Sequence, residues 1–339
     1  MSDGLNRTGR RPTLAQVAKA AGVSSATASR VVNHNFRGDV KTAERVFGAV
    51  LKLGYQPNPL ARSLAVGSTN TVGFVVPDLA NPAFQGILSS LSKEAGRAGY
   101  RTLIADTNED RSIEQDLAQE TRRRCDCVVL CAPRMPEEQL VELVNDMMPV
   151  VIVNRASPQT VAPSVSVDYA VGVRAVAEHL YRLGHRSMVY LHGPETSASN
   201  ELREAGLRQF QRAHPNVECA RALGGISIEH GAAAAQRVID SGSSAVVAYN
   251  DLVAIGVLHG LRSAGVRVPD DVSVAGFDDI AFARYTRPQL TSAAVPLDAL
   301  GRETWRRLDS LINHNEPEPN VVFEPKLTVR ESTAPALLR

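Results

Sequence analysis

A small all-α head followed by a large α/β body of two doubly wound lobes is the fold class that this 339-residue sequence predicts. Three observations carry it. The first stretch, Met1 to Val66, is basic and reads as short capped helices. From Thr71 onward, short apolar runs rich in β-branched residues alternate with helical stretches, the pattern of parallel sheets covered on both faces. About seven such runs suit two lobes better than one.

Composition narrows the class. Hydrophobic residues make up 44% and charged residues 22%, which suits a folded chain with a large core. No apolar run is long enough to span a bilayer, and MSDGLNRTGRRPT has no apolar stretch behind its positive charge, so no membrane contact and a cytoplasmic location are expected. The net charge of +1 hides a division. Met1–Val66 holds ten basic and three acidic residues, a net of +7, which leaves −6 for the rest. A basic head on an acidic body is the footprint of a head that meets a polyanion, with chance clustering of surface charge as the plain alternative. The four cysteines are Cys125, Cys127, Cys131 and Cys219. The first three lie in CDCVVLCA, which reads as a buried strand. No paired His or second CxxC stands near them, so reduced core thiols and no metal site are expected. No Walker A loop, GxGxxG, GxSxG elbow or HExxH appears, so no catalytic residue, no cofactor and no enzyme are expected.

The head comes first in the chain. Thr13 can cap a helix, with Gln16 three residues on as in a capping box; Leu14, Val17, Ala18 and Ala21 follow at helical spacing, and Gly22 stops it. Ser24 is a second cap, opening Ser25 to Asn33. Two short helices joined by a tight turn form a helix-turn-helix. The second helix carries Ser24, Ser25, Thr27 and Ser29, which are poor core residues but good donors to phosphates and base edges. Arg30 is the one long side chain, able to grip guanine O6 and N7 with its fork, or simply to meet phosphate or water. A third helix is expected from about Val40 to Leu53, capped by Asp39 and ended by Gly54. Val46, Phe47, Val50 and Leu51 are assigned to its core face. Asn58 and Pro59 then open a short helical pattern that cannot hold alone in water.

In the body, TVGFVVPD, RTLIADT, CVVLCA, PVVIVNR, SMVYLHG, SAVVAYN and VSVAGFD are the expected strands. Helices are expected near Ile87–Ala98, Ile113–Arg123, Val171–Leu183, Glu229–Ile239 and Leu252–Ala264. Polar residues gather just past the strands: Asp78, Asn154 and Arg155, Asn250 and Asp251, Asp278 and Asp279. Ligands of open α/β sheets sit at those ends. Each such residue has a plain alternative as a cap of the next helix.

The motifs together resemble the LacI/GalR family. In the head these are Thr13-Leu14-Ala15-Gln16-Val17-Ala18, Ala21-Gly22-Val23-Ser24 and Thr27-Ala28-Ser29-Arg30-Val31-Val32-Asn33, followed by Tyr55-Gln56-Pro57-Asn58-Pro59-Leu60-Ala61-Arg62-Ser63-Leu64. In the body they include Val76-Pro77-Asp78-Leu79-Ala80-Asn81-Pro82, Asn250-Asp251-Leu252-Val253-Ala254-Ile255-Gly256 and Gly276-Phe277-Asp278-Asp279. The resemblance implies a headpiece over 12–57, a hinge helix and linker over 58–68, and an effector-binding and dimerisation domain over 70–339 with a periplasmic-binding-protein-like fold. It implies a ligand-responsive repressor that binds operator DNA as a homodimer. DNA contacts carried over by position are Thr13, Ser24, Ser25, Ala26, Thr27, Ser29, Arg30 and Asn33. In the hinge they are Asn58, Ala61 and Leu64. Leu64 matches the leucine wedged between base pairs; without the match, packing on the body is the plain alternative. Asp78, Phe84, Arg203, Asn250 and Asp278 match effector contacts, and the implied effector is a sugar, sugar phosphate or similar molecule. Ala83 and Ile226 fall at or near positions that are usually aromatic, leaving Phe84 as the expected aromatic wall.

Overall fold

The computed structural model describes residues 12–33, 35–56, 67–156 and 161–337. The chain divides into two compact units, Met1–Thr69 and Asn70–Arg339.

In the first unit, local capping sets three helices: α1 (Leu14–Ala21), α2 (Ser25–Val32) and α3 (Val40–Leu53). The expected capping box forms. The Thr13 hydroxyl accepts from the Gln16 backbone N–H, and the Thr13 N–H donates to Gln16 Oε1 at 2.8 Å. Gly22 ends α1 at φ 66°, a left-handed conformation that is cheap only for glycine. Ser24 accepts from Thr27 N–H at 3.1 Å, and Asp39 from Thr42 N–H at 2.8 Å. The core is Val17, Ala18, Ala21, Ala28, Val31, Val46 and Ala49, all small.

One expectation fails here. Phe47 is 40% and Leu51 81% exposed, so neither belongs to the core face of α3. The buried stripe runs through Val46 and Ala49, with Ala43, Val50 and Leu53 packed at its edge. Phe47 and Leu51 follow those positions by one residue, which on a helix turns them about 100° away.

The second unit holds two six-stranded sheets. The first lobe contains β1 (Thr71–Val76), β2 (Arg101–Asp106), β3 (Cys127–Cys131), β4 (Val150–Val153), β5 (Ser164–Val167) and β11 (Val321–Phe323), in the order β11-β5-β4-β3-β1-β2. The second lobe contains β6 (Ser187–His192), β7 (Glu218–Leu223), β8 (Ala245–Ala248), β9 (Ser273–Asp278), β10 (Thr291–Ala294) and β12 (Lys326–Thr328), in the order β12-β10-β9-β8-β6-β7. Pairing is parallel except between β10 and β12. Central strands such as β3 and β4 are buried along their whole length, as helices on both faces require.

Helices α4 (Pro82–Arg97), α5 (Glu114–Arg124), α6 (Glu137–Met147) and α11 (Leu297–Ile312) serve the first lobe. Helices α7 (Tyr169–Arg182), α8 (Ala198–Ala213), α9 (Ile228–Ser241) and α10 (Asp251–Ser263) serve the second. The chain passes between lobes three times, after β5, β10 and β11. One core cluster runs through both, from Phe74 and Val151 to Val247 and Phe277. All seven expected strands form, and β5, β7, β10, β11 and β12 are added.

Candidate functional site

Two regions draw functional side chains together. The first is the outer face of α2. Ser24, Ser25, Ala26 and Arg30 are exposed there, while Thr27, Ser29 and Asn33 are half-buried. Ser24 and Thr27 share a hydrogen bond of 2.9 Å between hydroxyls, and Asn33 Nδ2 donates to Ser29 Oγ at 3.3 Å. These local bonds hold short side chains in fixed directions while leaving lone pairs free. Thr13 is exposed, with its hydroxyl engaged in its own capping box. Lys19, Arg37, Lys41, Arg45 and Lys52 are exposed as well, so the described part of the head presents only solvated cations of its basic side chains. Asn58, Ala61, Arg62 and Leu64, and with them most of the expected hinge, lie outside the described residues.

The second region is a narrow cleft between the lobes. The carboxyl ends of the strands line it, from Ala132 after β3 and Asn154 after β4 to Tyr249 after β8 and Asp278 at the end of β9. Asn81, Ala83 and Phe84 enter from α4, and Ser199 and Arg203 from α8. Three residues lining it carry backbone strain. Ala132, Asn154 and Asp278 take positive φ angles of 48°, 58° and 101°. Non-glycine residues adopt such angles at a cost, and they persist where surrounding structure enforces them, often at functional sites.

Arg203 is the centre of the cleft. It is 2% exposed, and its guanidinium carbon lies 4.3 Å from the Tyr169 ring centre, 4.6 Å from Tyr249 and 4.0 Å from Phe277. Three ring faces around one cation form a cage that fixes the fork. Nη1 donates to the Ser199 carbonyl at 3.1 Å, and Nη2 stands 3.9 Å from Asp278 Oδ1. Among the described residues, Arg203 Nε and Asn154 Oδ1 are buried without a hydrogen-bond partner. One is a donor and the other an acceptor, and both belong to residues lining the cleft. Buried polar groups normally have partners, and Thr107 Oγ1, Ser164 Oγ and Arg307 Nε share this state elsewhere in the body.

Burial raises the carboxyl of Asp278 to about 7, against the opposing pull of Arg203. Behind it, Asp251 is fully buried and accepts from Ile280 N–H and the Ser292 hydroxyl; burial first, then the Asp278 charge, pushes it well above the usual carboxylate range. Asp251 is thus a buried brace, and Asp279, paired with Arg330 at 2.6 Å, is another. Arg155 braces the first lobe through Glu137 and the Pro133 and Met135 carbonyls.

Four of the five expected effector residues meet in the cleft: Phe84, Arg203, Asn250 and Asp278. Asn250 also does what the plain alternative allowed, capping α10 through a bond from Val253 N–H at 2.9 Å. Asp78 does not line the cleft; its Oδ1 accepts from Ala80 N–H at 2.8 Å. Burial, with Glu109 and Asp106 nearby, raises its pKa. Phe84 is not the only aromatic wall, since Tyr169 and Tyr249 line the cleft too. Sequence reading passed over Arg134, although it closes CVVLCAPR just as Asn154 closes PVVIVN. Its Nη1 donates across the cleft to Ser197 Oγ at 3.3 Å, and Ser197 bonds in turn to Ser199 and Tyr249.

Burial pushes the thiols of Cys125 and Cys219 up to about 11, and those of Cys127 and Cys131 to about 12, which suits inert core cysteines. Among the described residues, no cluster could hold a metal ion, and no helix is long and apolar enough to cross a membrane.

Comparison with known proteins bears on both regions. Residues 13–58 match the model for bacterial regulatory proteins of the lacI family, and residues 177–333 match that for a periplasmic binding protein-like domain. The transcriptional regulator AscG of Escherichia coli (strain K12) is 34% identical over 332 residues, covering 94% of this chain and 98% of the relative. A Lac repressor dimer bound to operator and the anti-inducer ONPF superposes with a TM-score of 0.85 at 25% identity, covering 96% of this chain and 100% of that one. The transcriptional regulator CelR in complex with cellobiose gives 0.69 at 30% identity, covering 95% of this chain and 100% of that one.

Proposed function

Because this chain belongs to the LacI family of bacterial regulatory proteins, we propose that it is a homodimeric transcriptional repressor whose grip on operator DNA is set by a small sugar-like molecule bound between its lobes. The observation that carries this reading is the pairing, in one chain, of an exposed small-polar helix on a basic head with a buried cleft that holds two unpartnered polar atoms. The first is chemistry for a duplex and the second for a hydroxyl-bearing ligand.

In this reading α2 lies in the major groove. Ser24, Ser25, Thr27 and Ser29 meet phosphates and base edges, Thr13, Ala26 and Asn33 frame them, and Arg30 grips a guanine. For the hinge over 58–68, most of which lies outside the described residues, the family resemblance implies DNA contacts from Asn58, Ala61 and Leu64, the last as a wedge between base pairs. Two heads read a near-palindromic site, since each chain carries one helix-turn-helix. In the cleft, Asp278 accepts from ligand hydroxyls, Arg203 donates through its free Nε, and Asn154 accepts through Oδ1. The ligand changes the spacing of the lobes beside the hinges, and that spacing decides whether the hinges fold together. The protein acts in the cytoplasm, where its DNA is, and catalyses nothing.

A thermal-shift screen of sugars, sugar phosphates and nucleobases, followed by operator binding with each hit, tests the reading. A hit that raises the melting temperature and changes operator affinity at least fivefold supports it. Tight operator binding that no cleft ligand alters would confine the function to the head.

A further inference from the structure

The charges around the cleft are already matched inside the protein. Arg134 is 5% exposed, and its Nε and Nη2 donate to the two Glu109 oxygens at 2.9 and 2.7 Å. That carboxylate is placed at some cost, because Asn108 and Glu109 both adopt left-handed angles, φ 50° and 59°, in the turn after β2. Arg203, the other cation lining the cleft, faces Asp278 and three aromatic rings.

Three helix N-termini also reach the cleft wall, and such ends attract anions when their N–H groups are open. At each, the capping side chain already takes one of those N–H groups. Asn81 accepts from Ala83 N–H, Ser197 from Asn200 N–H, and Asn250 from Val253 N–H. No lysine lines the cleft. The buried polar atoms of the cleft without a hydrogen-bond partner include one neutral acceptor, Asn154 Oδ1, and one donor, Arg203 Nε, beside the Asp278 carboxyl.

From this arrangement we infer that the cleft selects an uncharged polyhydroxyl ligand over its phosphorylated counterpart, and that Glu109 is a specificity-determining residue because it masks Arg134. The inference rests on the reading of the cleft as a ligand site. A phosphate dianion brought into this cleft loses its hydration and finds Arg134 held by Glu109 and Arg203 facing Asp278, so little of its desolvation is compensated. A hydroxyl loses far less, and the open donor and acceptor replace its water. Removing the Glu109 charge leaves a buried guanidinium with an open fork, which is the usual grip for phosphate.

The test uses the full-length protein at fixed ionic strength and matched probes: D-glucose against D-glucose 6-phosphate, D-ribose against D-ribose 5-phosphate, and inorganic phosphate alone. Binding is read by thermal shift and titration calorimetry in the wild type, in Glu109→Gln and in the charge-keeping Glu109→Asp, each checked for folding by circular dichroism. In any pair that binds, the neutral member binds the wild type at least tenfold more tightly. Glu109→Gln narrows that gap tenfold or more and acquires a response to inorganic phosphate, whereas Glu109→Asp keeps the wild-type preference. A phosphorylated sugar that binds the wild type as tightly as its neutral partner overturns the inference, as does a wild type that responds to inorganic phosphate. A folded Glu109→Gln with unchanged discrimination and no response to phosphate removes Glu109 from this role. If neither member of any pair binds, the cleft loses support as a sugar site, while the phosphate arm still decides the charge argument: a response in Glu109→Gln alone upholds it, and any other pattern ends it.

Discussion

The head and the cleft obtain function in opposite ways. The head folds from contiguous sequence, through three capped helices around a core of small residues, and offers its side chains to solvent. The cleft draws on residues from Asn81 to Leu297 and buries them. A surface such as α2 can change one side chain without disturbing its support. In the cleft, the proposed ligand contacts Arg203 and Asp278 are also part of the packing, so on our reading function and stability share the same atoms. The two regions should therefore answer substitution differently.

The largest effect falls in the cleft. Arg203→Ala empties an aromatic cage and leaves Asp278 unpaired, and breaking a buried pair costs about 3–5 kcal/mol. At about 2–4 °C per kcal/mol for a body of this size, calorimetry should show melting lowered by roughly 6–20 °C. The same substitution also removes the ligand response. Asp278→Asn keeps the shape, and its signature is pH dependence. Burial places Asp278 near 7 in the folded chain, above its ordinary value of 3.8, and raises Asp251 as well. Between these limits the folded state holds more protons than the unfolded one, so stability falls as pH rises from about 4 through 7. Urea melts across that window should show a shallower fall in Asp278→Asn than in the wild type, with the Asp251 share remaining. Equal slopes would mean that Asp278 does not carry the raised pKa.

In the head the effects are smaller and separable. Arg30→Ala should weaken binding to the selected operator by roughly 1–3 kcal/mol and relax preference at one base pair per half-site, with melting unchanged. Random-site selection on both proteins reads this, and intact preference would displace α2 as the reader. Ser24→Ala removes a helix cap worth about 0.5–2 kcal/mol, and so loosens the head while ligand binding by the body stays as it was. Lys41→Ala should weaken all sequences alike and reduce the salt slope of binding by about one unit. Leu51→Ser, on the exposed side of α3, should change stability by less than about 0.5 kcal/mol, and a larger loss would restore Leu51 to the core.

The same contrast explains what the sequence revealed. Caps are local, so Thr13, Gly22, Ser24, Asp39 and Gly54 were readable, and so were strands such as Cys127–Cys131 that are buried on both faces. The phase of α3 was misjudged because Val46, Phe47, Val50 and Leu51 are all apolar, and only the packed partner shows which pair turns outward. Strand β7, ECARAL, has no apolar run of its own and exists through its pairing with β6. Phe84, Arg203, Asn250 and Asp278, carried over from the family resemblance, do line one cleft, and three of them stand at strand ends or helix starts, which a pattern shows. Arg134 obeyed the same rule and was passed over. The masking of Arg134 by Glu109 is a meeting of segments 25 residues apart, which no local pattern encodes.

The central claim is that the cleft governs a head whose residues it does not supply. The most direct test measures operator affinity for full-length wild type and Asp278→Asn, with and without a ligand that stabilises the wild type, on an operator obtained by random-site selection. The account predicts equal affinities without ligand, a change of at least fivefold on adding ligand to the wild type, and no change in the variant. A well-folded Asp278→Asn that responds to the ligand as the wild type does would contradict it.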